Sequence, residues 1–201
     1  VDVSDISKKL LASQGKSLVI SSSNNKQIQL LVNEINNLLG NIGQTILFDS
    51  YLRTRRGIDS DMDMLVRKME DGGVDALLIW NVNPAYTYYN KVAFSEGIKK
   101  VGLTVSLSGS PDETSQYVQY VCPDNHYLES WNDAEAKRNK YSLAQPAVNP
   151  VFDTRQMADT LLKWSGSEKH IYDFINAYWA DNLMPLQSEF PDPVAFFDHT
   201  L

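Results

Sequence analysis

Apolar positions along the chain follow two alternating rhythms. Residues 16–25 (KSLVISSSNN), 44–48 (QTILF), 75–80 (DALLIW) and 103–109 (LTVSLSG) are short runs of apolar and β-branched residues, the first and last of them ending in small or polar ones. Between them lie longer stretches with helical spacing. In residues 26–40, Ile28, Leu31, Val32, Ile35, Leu38 and Leu39 recur every three or four positions, and Gly40 stands where a helix terminates. Residues 61–73 read as a second helix, with acids near the start and Gly72-Gly73 at the end; residues 89–102 read as a third. DALLIW does not alternate, which suits a central strand of a parallel sheet buried on both faces.

Strand and helix recurring in this way are the rhythm of an open, mostly parallel α/β sheet with helices on both faces, Rossmann-like in outline. Further along, residues 112–119 open a short helix and residues 120–129 give an extended segment broken by Pro123. Residues 1–129 form the expected core. The polar, proline-containing stretch 130–155 reads as an extended arm making interdomain contacts, with Trp131 and Phe152 as apolar anchors. Residues 156–201 close the chain. They hold two helices, over 153–166 and 167–183, the latter capped by Ser167 or Glu168, and a tail without a clear period that wraps or frays.

Right-handed crossovers place the loops after successive parallel strands on one edge, where α/β sheets bind their ligands. Three such loops are Ser21-Ser22-Ser23-Asn24, Asn81-Val82-Asn83-Pro84 and Ser108-Gly109-Ser110-Pro111-Asp112. All are small and polar. The two asparagines after DALLIW either satisfy backbone groups of the turn or face a ligand or a neighbouring domain. Tyr86, Tyr88 and Tyr89 follow at once and read as packing against such a neighbour, so they should be partly exposed in this chain alone.

Composition narrows the partners. The 201 residues carry a net charge of -7; residues 1–100 hold 12 Lys+Arg against 11 Asp+Glu, and residues 101–201 hold 6 against 14. An acidic second half argues against nucleic acid as partner. No apolar run approaches the roughly 20 residues that span a bilayer, so direct membrane insertion is not expected. A single cysteine, Cys122, excludes an internal disulfide framework and any cysteine-based cluster within this chain. Cys122 and His126 are four apart, but Pro123 opposes a helix there and two ligands do not make a metal site. Arg53, Arg55 and Arg56 could meet an anion or form interdomain ion pairs. Neither a catalytic triad nor a phosphate-loop motif has supporting spacing. The start on Val1 is what an excised segment of a longer chain would show.

Five stretches, INNLLGNIGQT, LLIWNVNPAYTYYN, SGSPDETSQY, VCPDNHYLESWND and YSLAQPAVNPVFDTRQMADTLL, resemble in order and spacing the third, nucleotide-binding domain of the molybdopterin oxidoreductases (the dimethyl sulfoxide reductase superfamily). The resemblance covers roughly residues 16–183. Within the family, HYLESWNDAEAKRNKYSLAQPAVNPVFDTRQ is most similar to the molybdopterin-like and iron–sulfur subunit of alternative complex III, a membrane complex that passes electrons from quinol towards cytochrome c.

The resemblance implies a domain of a longer subunit. Its partners would be other domains of the same polypeptide and other subunits of a membrane complex, on the extracytoplasmic (periplasmic) face. Iron–sulfur and metal ligands would lie in other domains. Molybdopterin guanine dinucleotide, where the full-length protein holds it, would meet Ser22, Ser23 and Asn24, then Asn81, Asn83 and Pro84, then Ser108, Asp112, Glu113 and Thr114. No cofactor, metal or catalytic residue is expected in this chain alone. The first loop reads Ser-Ser-Ser-Asn-Asn where many family members have glycine. Two functions stay open at this point: a scaffold domain without activity of its own, or the dinucleotide-binding domain of an active molybdoenzyme.

Overall fold

A computed structural model describes residues 3–54 and 57–201. The chain divides into two compact units, one formed by residues 1–55 with 135–140, the other by residues 56–134 with 141–201. The fold is α/β.

The first unit opens with α1 (Val3–Ala12), followed by an extended segment and α2 (Lys26–Leu38). The periodicity of residues 26–40 forms the expected helix, and Asn25 caps it, its side-chain oxygen accepting from the Gln27 and Ile28 amides. The apolar stripe does not form a core, however. Among its members only Leu39 is buried, while Ile28, Leu31 and Leu38 are exposed.

The two expected first strands are corrected here. Residues 17–25 run extended without a sheet neighbour, and residues 44–48 contribute only an isolated bridge between Ile42 and Ile46. The reason lies in one buried amide. Asn36 accepts from the Val19 backbone N–H (3.0 Å) and donates to the Val19 carbonyl (2.8 Å), so a side chain takes the place of a sheet neighbour at that residue. Asn36 also accepts from the Asn41 side chain at 2.9 Å, and both asparagines are buried.

In the second unit come α3 (Asp59–Glu70), β1 (Ala76–Ile79), a single turn α4 (Pro84–Thr87), α5 (Lys91–Ile98), β2 (Leu103–Ser106) and β3 (Tyr120–Val121). The sheet is parallel throughout, in the order β1-β2-β3. β1 is therefore an edge strand, against the expectation that DALLIW is central. Its Leu78 is 46% exposed, and β2 instead carries the buried run Thr104, Val105 and Ser106. Gly72, at φ +70°, ends α3 in the left-handed conformation that its missing Cβ permits. A Cβ at Gly97 would come within 3.1 Å of the Met69 Cβ, so glycine lets α5 approach α3 over the core of Val66, Met69, Ile79, Phe94, Ile98 and Val101.

The stretch expected as an extended arm holds a β-hairpin, β4 (Asn132–Lys137) and β5 (Lys140–Ala144), with Asn139 at φ +60° in its turn. Helix α6 (Met157–Trp164) follows, then α7 (Ile171–Tyr178), which runs on through a π-helical turn over Trp179–Leu183. His170, and not Ser167 or Glu168, stands at the N-cap of α7, its backbone N–H donating to Asp173 Oδ2 at 3.4 Å. The tail, expected to wrap or fray without a clear period, forms α8 (Pro193–Thr200). Asp192 accepts from the Ala195 amide and Pro193 takes the first helical position. Phe197 of this helix joins Ile175, Trp179 and Leu183 in a second core, against which Trp131 packs. No described helix is long and apolar enough to cross a membrane.

Candidate functional site

The carboxyl end of the parallel sheet in the second unit carries the residues on which the sequence reading concentrated. They divide into two groups. Asn83, Glu113 and Thr114 form a closed network. The buried Thr114 hydroxyl donates to Asn83 Oδ1 (2.7 Å) and accepts from the Ala85 amide (3.1 Å), while Asn83 Nδ2 donates to Glu113 Oε2 (2.6 Å). The Asn83 bond is the leading cause of a Glu113 carboxyl held below its ordinary value. Pro84 is buried at the start of α4. Asp112 accepts from the Ser115 amide and hydroxyl (both 2.8 Å) and, at 3.5 Å, from the Ser108 hydroxyl, which makes it the start of the following helical turn.

Asn81 is different. Its backbone sits at φ +50°, an uncommon conformation for a non-glycine residue, and its amide is exposed with no hydrogen-bond partner among the described residues. Together with Ser108, Gly109 and Ser110 it opens onto a cavity of about 720 Å³. Sequence reasoning missed the rest of that cavity, which comes from Asp124–Glu129 and from residues 148–154. The signal lay in Asp124-Asn125, a polar pair that follows Cys122-Pro123 after the strand ending at Val121.

Asp124 ties this region together. One carboxylate oxygen accepts from Trp80 Nε1 (2.7 Å), at the end of β1, and the other from the Met157 amide (2.7 Å), at the start of α6. The opposing walls are stitched to each other as well. The Leu128 carbonyl accepts from the Ala147 (2.7 Å) and Val148 (3.1 Å) amides, and Thr154 Oγ1 donates to Asn125 Oδ1 (2.6 Å). Glu129 accepts from the Val151 amide (3.0 Å) with one oxygen and from the His126 amide (2.9 Å) with the other. His126 Nδ1 in turn accepts from the Leu128 amide at 3.3 Å.

The Val151 and then the His126 amide hold the Glu129 carboxyl below its ordinary value of 4.5. A depressed carboxyl contributes stability above its unfolded-state pKa and loses it as pH falls through the folded-state value. The wild-type protein is therefore expected to lose thermal stability as the pH falls below the ordinary carboxyl value of 4.5, and Glu129→Gln to lose less over that range. Melting curves of the two proteins across that range check it, and parallel losses would contradict it.

Ser22, Ser23 and Asn24 belong to the first unit. Ser23 Oγ accepts from the Asn25 amide and its carbonyl accepts from Gln29 Nε2, whereas the Ser22 and Asn24 residues stand exposed. Asn25 already occupies the Gln27 and Ile28 amides that an anion at this helix start would use. Arg53 pairs with Glu135 within the same unit. Arg55 and Arg56 lie outside the described residues.

A guanine dinucleotide brings a pyrophosphate, and the donor set does not suit one. The described residues lining the cavity include the carboxylates of Asp124 and Glu129 and no lysine or arginine. Among the described residues no group of three or more His, Cys, Asp or Glu side chains is arranged to hold a metal ion.

The menaquinone reductase molybdopterin-binding-like subunit of Nitratidesulfovibrio vulgaris is 32% identical to this chain over 95 residues. The likeness is to part of a molybdopterin-oxidoreductase-type subunit. It covers 45% of this chain and 14% of that subunit's length. No protein-family model matches the chain.

The three tyrosines singled out in the sequence are at least partly exposed, as expected. Tyr86 is 60% and Tyr89 78% exposed. Tyr88 is half-buried and donates to Asp63 Oδ1 at 2.7 Å, which raises its pKa. Trp131 is anchored in the second core, whereas Phe152 is 77% exposed and anchors nothing among the described residues.

Proposed function

We propose that this chain is a scaffold domain of a molybdopterin-oxidoreductase-like subunit in a membrane-associated electron-transfer complex, one that links quinol chemistry to a cytochrome c-type acceptor. It contributes shape and contacts while electrons travel through other domains. The observation that carries the reading is the 95-residue likeness to a menaquinone reductase subunit. Two features of the chain support it. Apolar side chains that a free-standing domain would bury, including Leu18, Ile20, Leu31 and Leu38 in the first unit and Tyr86 and Tyr89 in the second, are exposed as a partner surface requires. The polar network around Asn83 and Thr114 is closed upon itself, as a structural turn would be.

The alternative, a dinucleotide-binding domain of an active molybdoenzyme, draws on the position of the loops at the strand ends. The two carboxylates lining the cavity weigh against it. The complex would stand on the outer face of the cytoplasmic membrane.

Affinity purification of the full-length protein from detergent-solubilised native membranes tests the reading. The expected result is co-purification with membrane-embedded subunits in constant ratio. Recovery of the protein alone from the aqueous fraction would contradict it.

A further inference from the structure

A second cavity of the second unit, about 340 Å³, shares Asn81, Asp124, Asn125 and Tyr127 with the larger one at the strand ends. Three aromatic side chains line it from different segments: Trp80 after β1, Tyr127 in the turn before β4, and Trp131 directly before β4. Each ring has a fixed neighbour. The Trp80 indole N–H donates to Asp124 Oδ2 at 2.7 Å, Trp131 packs on Tyr172 with centroids 4.7 Å apart, and Tyr127 stacks on His126 at 4.2 Å. The buried side chains of Met157 from α6 and Ile175 from α7 complete the wall. The site therefore stands preformed, and a ligand does not have to order it.

Charge decides the sign of what fits. The lining holds two carboxylates, Asp124 and Asp133, and no lysine, arginine or histidine; His126 lines the larger cavity only. Both oxygens of Asp124 are engaged, by the Trp80 indole and by the Asn125 and Met157 amides. Asp133 is half-buried and keeps one oxygen open: Oδ2 accepts from the Trp179 indole at 2.9 Å, and Oδ1 has no hydrogen-bond partner among the described residues. Aromatic faces carry the negative side of a quadrupole, so rings and carboxylates favour the same guest, a cation.

Hydrogen bonding then decides its kind. An ammonium that keeps its N–H groups needs an acceptor for each. Most acceptors here are taken or turned elsewhere: Asn132 Oδ1 accepts from the Asp133 amide, Asn125 Oδ1 from the Thr154 hydroxyl, and the Ser130 hydroxyl donates to the His126 carbonyl. A fully alkylated ammonium needs none and rests on ring faces instead. The volume stands at the lower end of small-molecule pockets, which run from about 300 to about 1,000 Å³. That suits one cationic headgroup with a short arm, for which the open Asn81 amide offers a polar contact.

We propose that this cavity binds a small organic cation, a quaternary ammonium group set among Trp80, Tyr127 and Trp131 with its charge balanced by Asp133. The proposal rests on the geometry of the second unit and stands apart from the scaffold reading, so either can fail without the other.

The test is a titration of the isotope-labelled chain at about pH 8, where a free imidazole is neutral, followed by backbone amide and indole N–H shifts. The probes are choline and its uncharged isostere, the alcohol in which carbon replaces the nitrogen, at equal ionic strength. Choline is expected to shift the amides of Asn81, Tyr127, Trp131 and Asp133 and the Trp80 indole N–H. The isostere should bind about tenfold more weakly or worse, because the same methyl groups meet the same rings without the charge. Tyr127→Ala should weaken choline binding about fivefold, and Tyr127→Phe, which keeps the ring face, by less than about twofold. Tyr127 is 74% exposed, so both variants keep their fold. Asp133→Asn removes the charge and still offers a side-chain oxygen to the Trp179 indole; a loss of about tenfold is expected, with the Trp179 indole resonance in place. The proposal is overturned if choline moves none of these groups, if the isostere binds as tightly, or if either Tyr127→Ala or Asp133→Asn binds choline as the parent does.

Discussion

Replacing Trp179 with alanine is expected to destabilise the second unit by about 3–5 kcal/mol, the cost of emptying a large aromatic site in a packed core. Trp179 is 2% exposed and lies in the π-helical turn that follows α7. Its ring meets Tyr141 from β5 and Phe196 and Phe197 from α8, with centroids 5.8–6.5 Å apart. Its indole N–H donates to Asp133 Oδ2 of β4 at 2.9 Å. One side chain therefore joins the hairpin to the C-terminal helices, and its removal loosens both. Denaturant unfolding with hydrogen exchange read at α8 checks this. A loss below about 1 kcal/mol, the scale of a surface change, would contradict it. Trp179→Phe separates the two contributions: it keeps much of the packing and leaves the Asp133 carboxylate without its donor.

In the first unit the corresponding expectation concerns a polar residue. Asn36→Ala removes two acceptor and two donor bonds at once, to Val19 N–H, Asn41 Nδ2, the Val19 carbonyl and the Val32 carbonyl. Buried groups left without partners cost about 1–3 kcal/mol each, so a loss of about 3 kcal/mol is expected, with early exchange of the Val19 amide. Asn36→Asp keeps the acceptors and loses the donors, and should fall between alanine and wild type. An unprotected Val19 amide in the wild-type protein would remove the basis of this account. The unit has little apolar core with which to absorb the change, since Leu39 is its buried hydrophobic residue among those described.

These two residues also show where the sequence was readable. The helical spacing of residues 26–40, the Gly72-Gly73 stop and the runs DALLIW and LTVSL all became the elements that their periods imply. Periodicity does not report what covers an element. The apolar stripe of α2 reads as a core face, yet its Ile28, Leu31 and Leu38 stand exposed, and DALLIW reads as central although β1 lies at the sheet edge. KSLVI has strand composition, but the Asn36 amide satisfies Val19 from a neighbouring helix, a long-range polar bond that no local pattern announces. The tail was more legible than its irregular composition implied. Asp192-Pro193 followed by an apolar run is an N-cap and a first-turn proline, and it opens α8.

For the candidate site, the sequence located the strand-end loops. It could not separate Asn83, whose amide is engaged by Thr114 and Glu113, from Asn81, whose amide is open. That division arises from a side chain 31 positions away in the chain, Thr114. Nor could it assemble the cavity, because most of its lining comes from residues 124–129 and 148–154, brought together by the Glu129 and Leu128 hydrogen bonds.

The scaffold reading makes a definite claim about the whole protein: this domain helps to shape a redox complex without gripping a pterin dinucleotide. The direct measurement is the molybdenum and pterin content of the full-length protein purified from its native membrane, by elemental analysis and by fluorescence of the oxidised pterin. The account predicts trace amounts of both. One equivalent of molybdopterin guanine dinucleotide per polypeptide would contradict it.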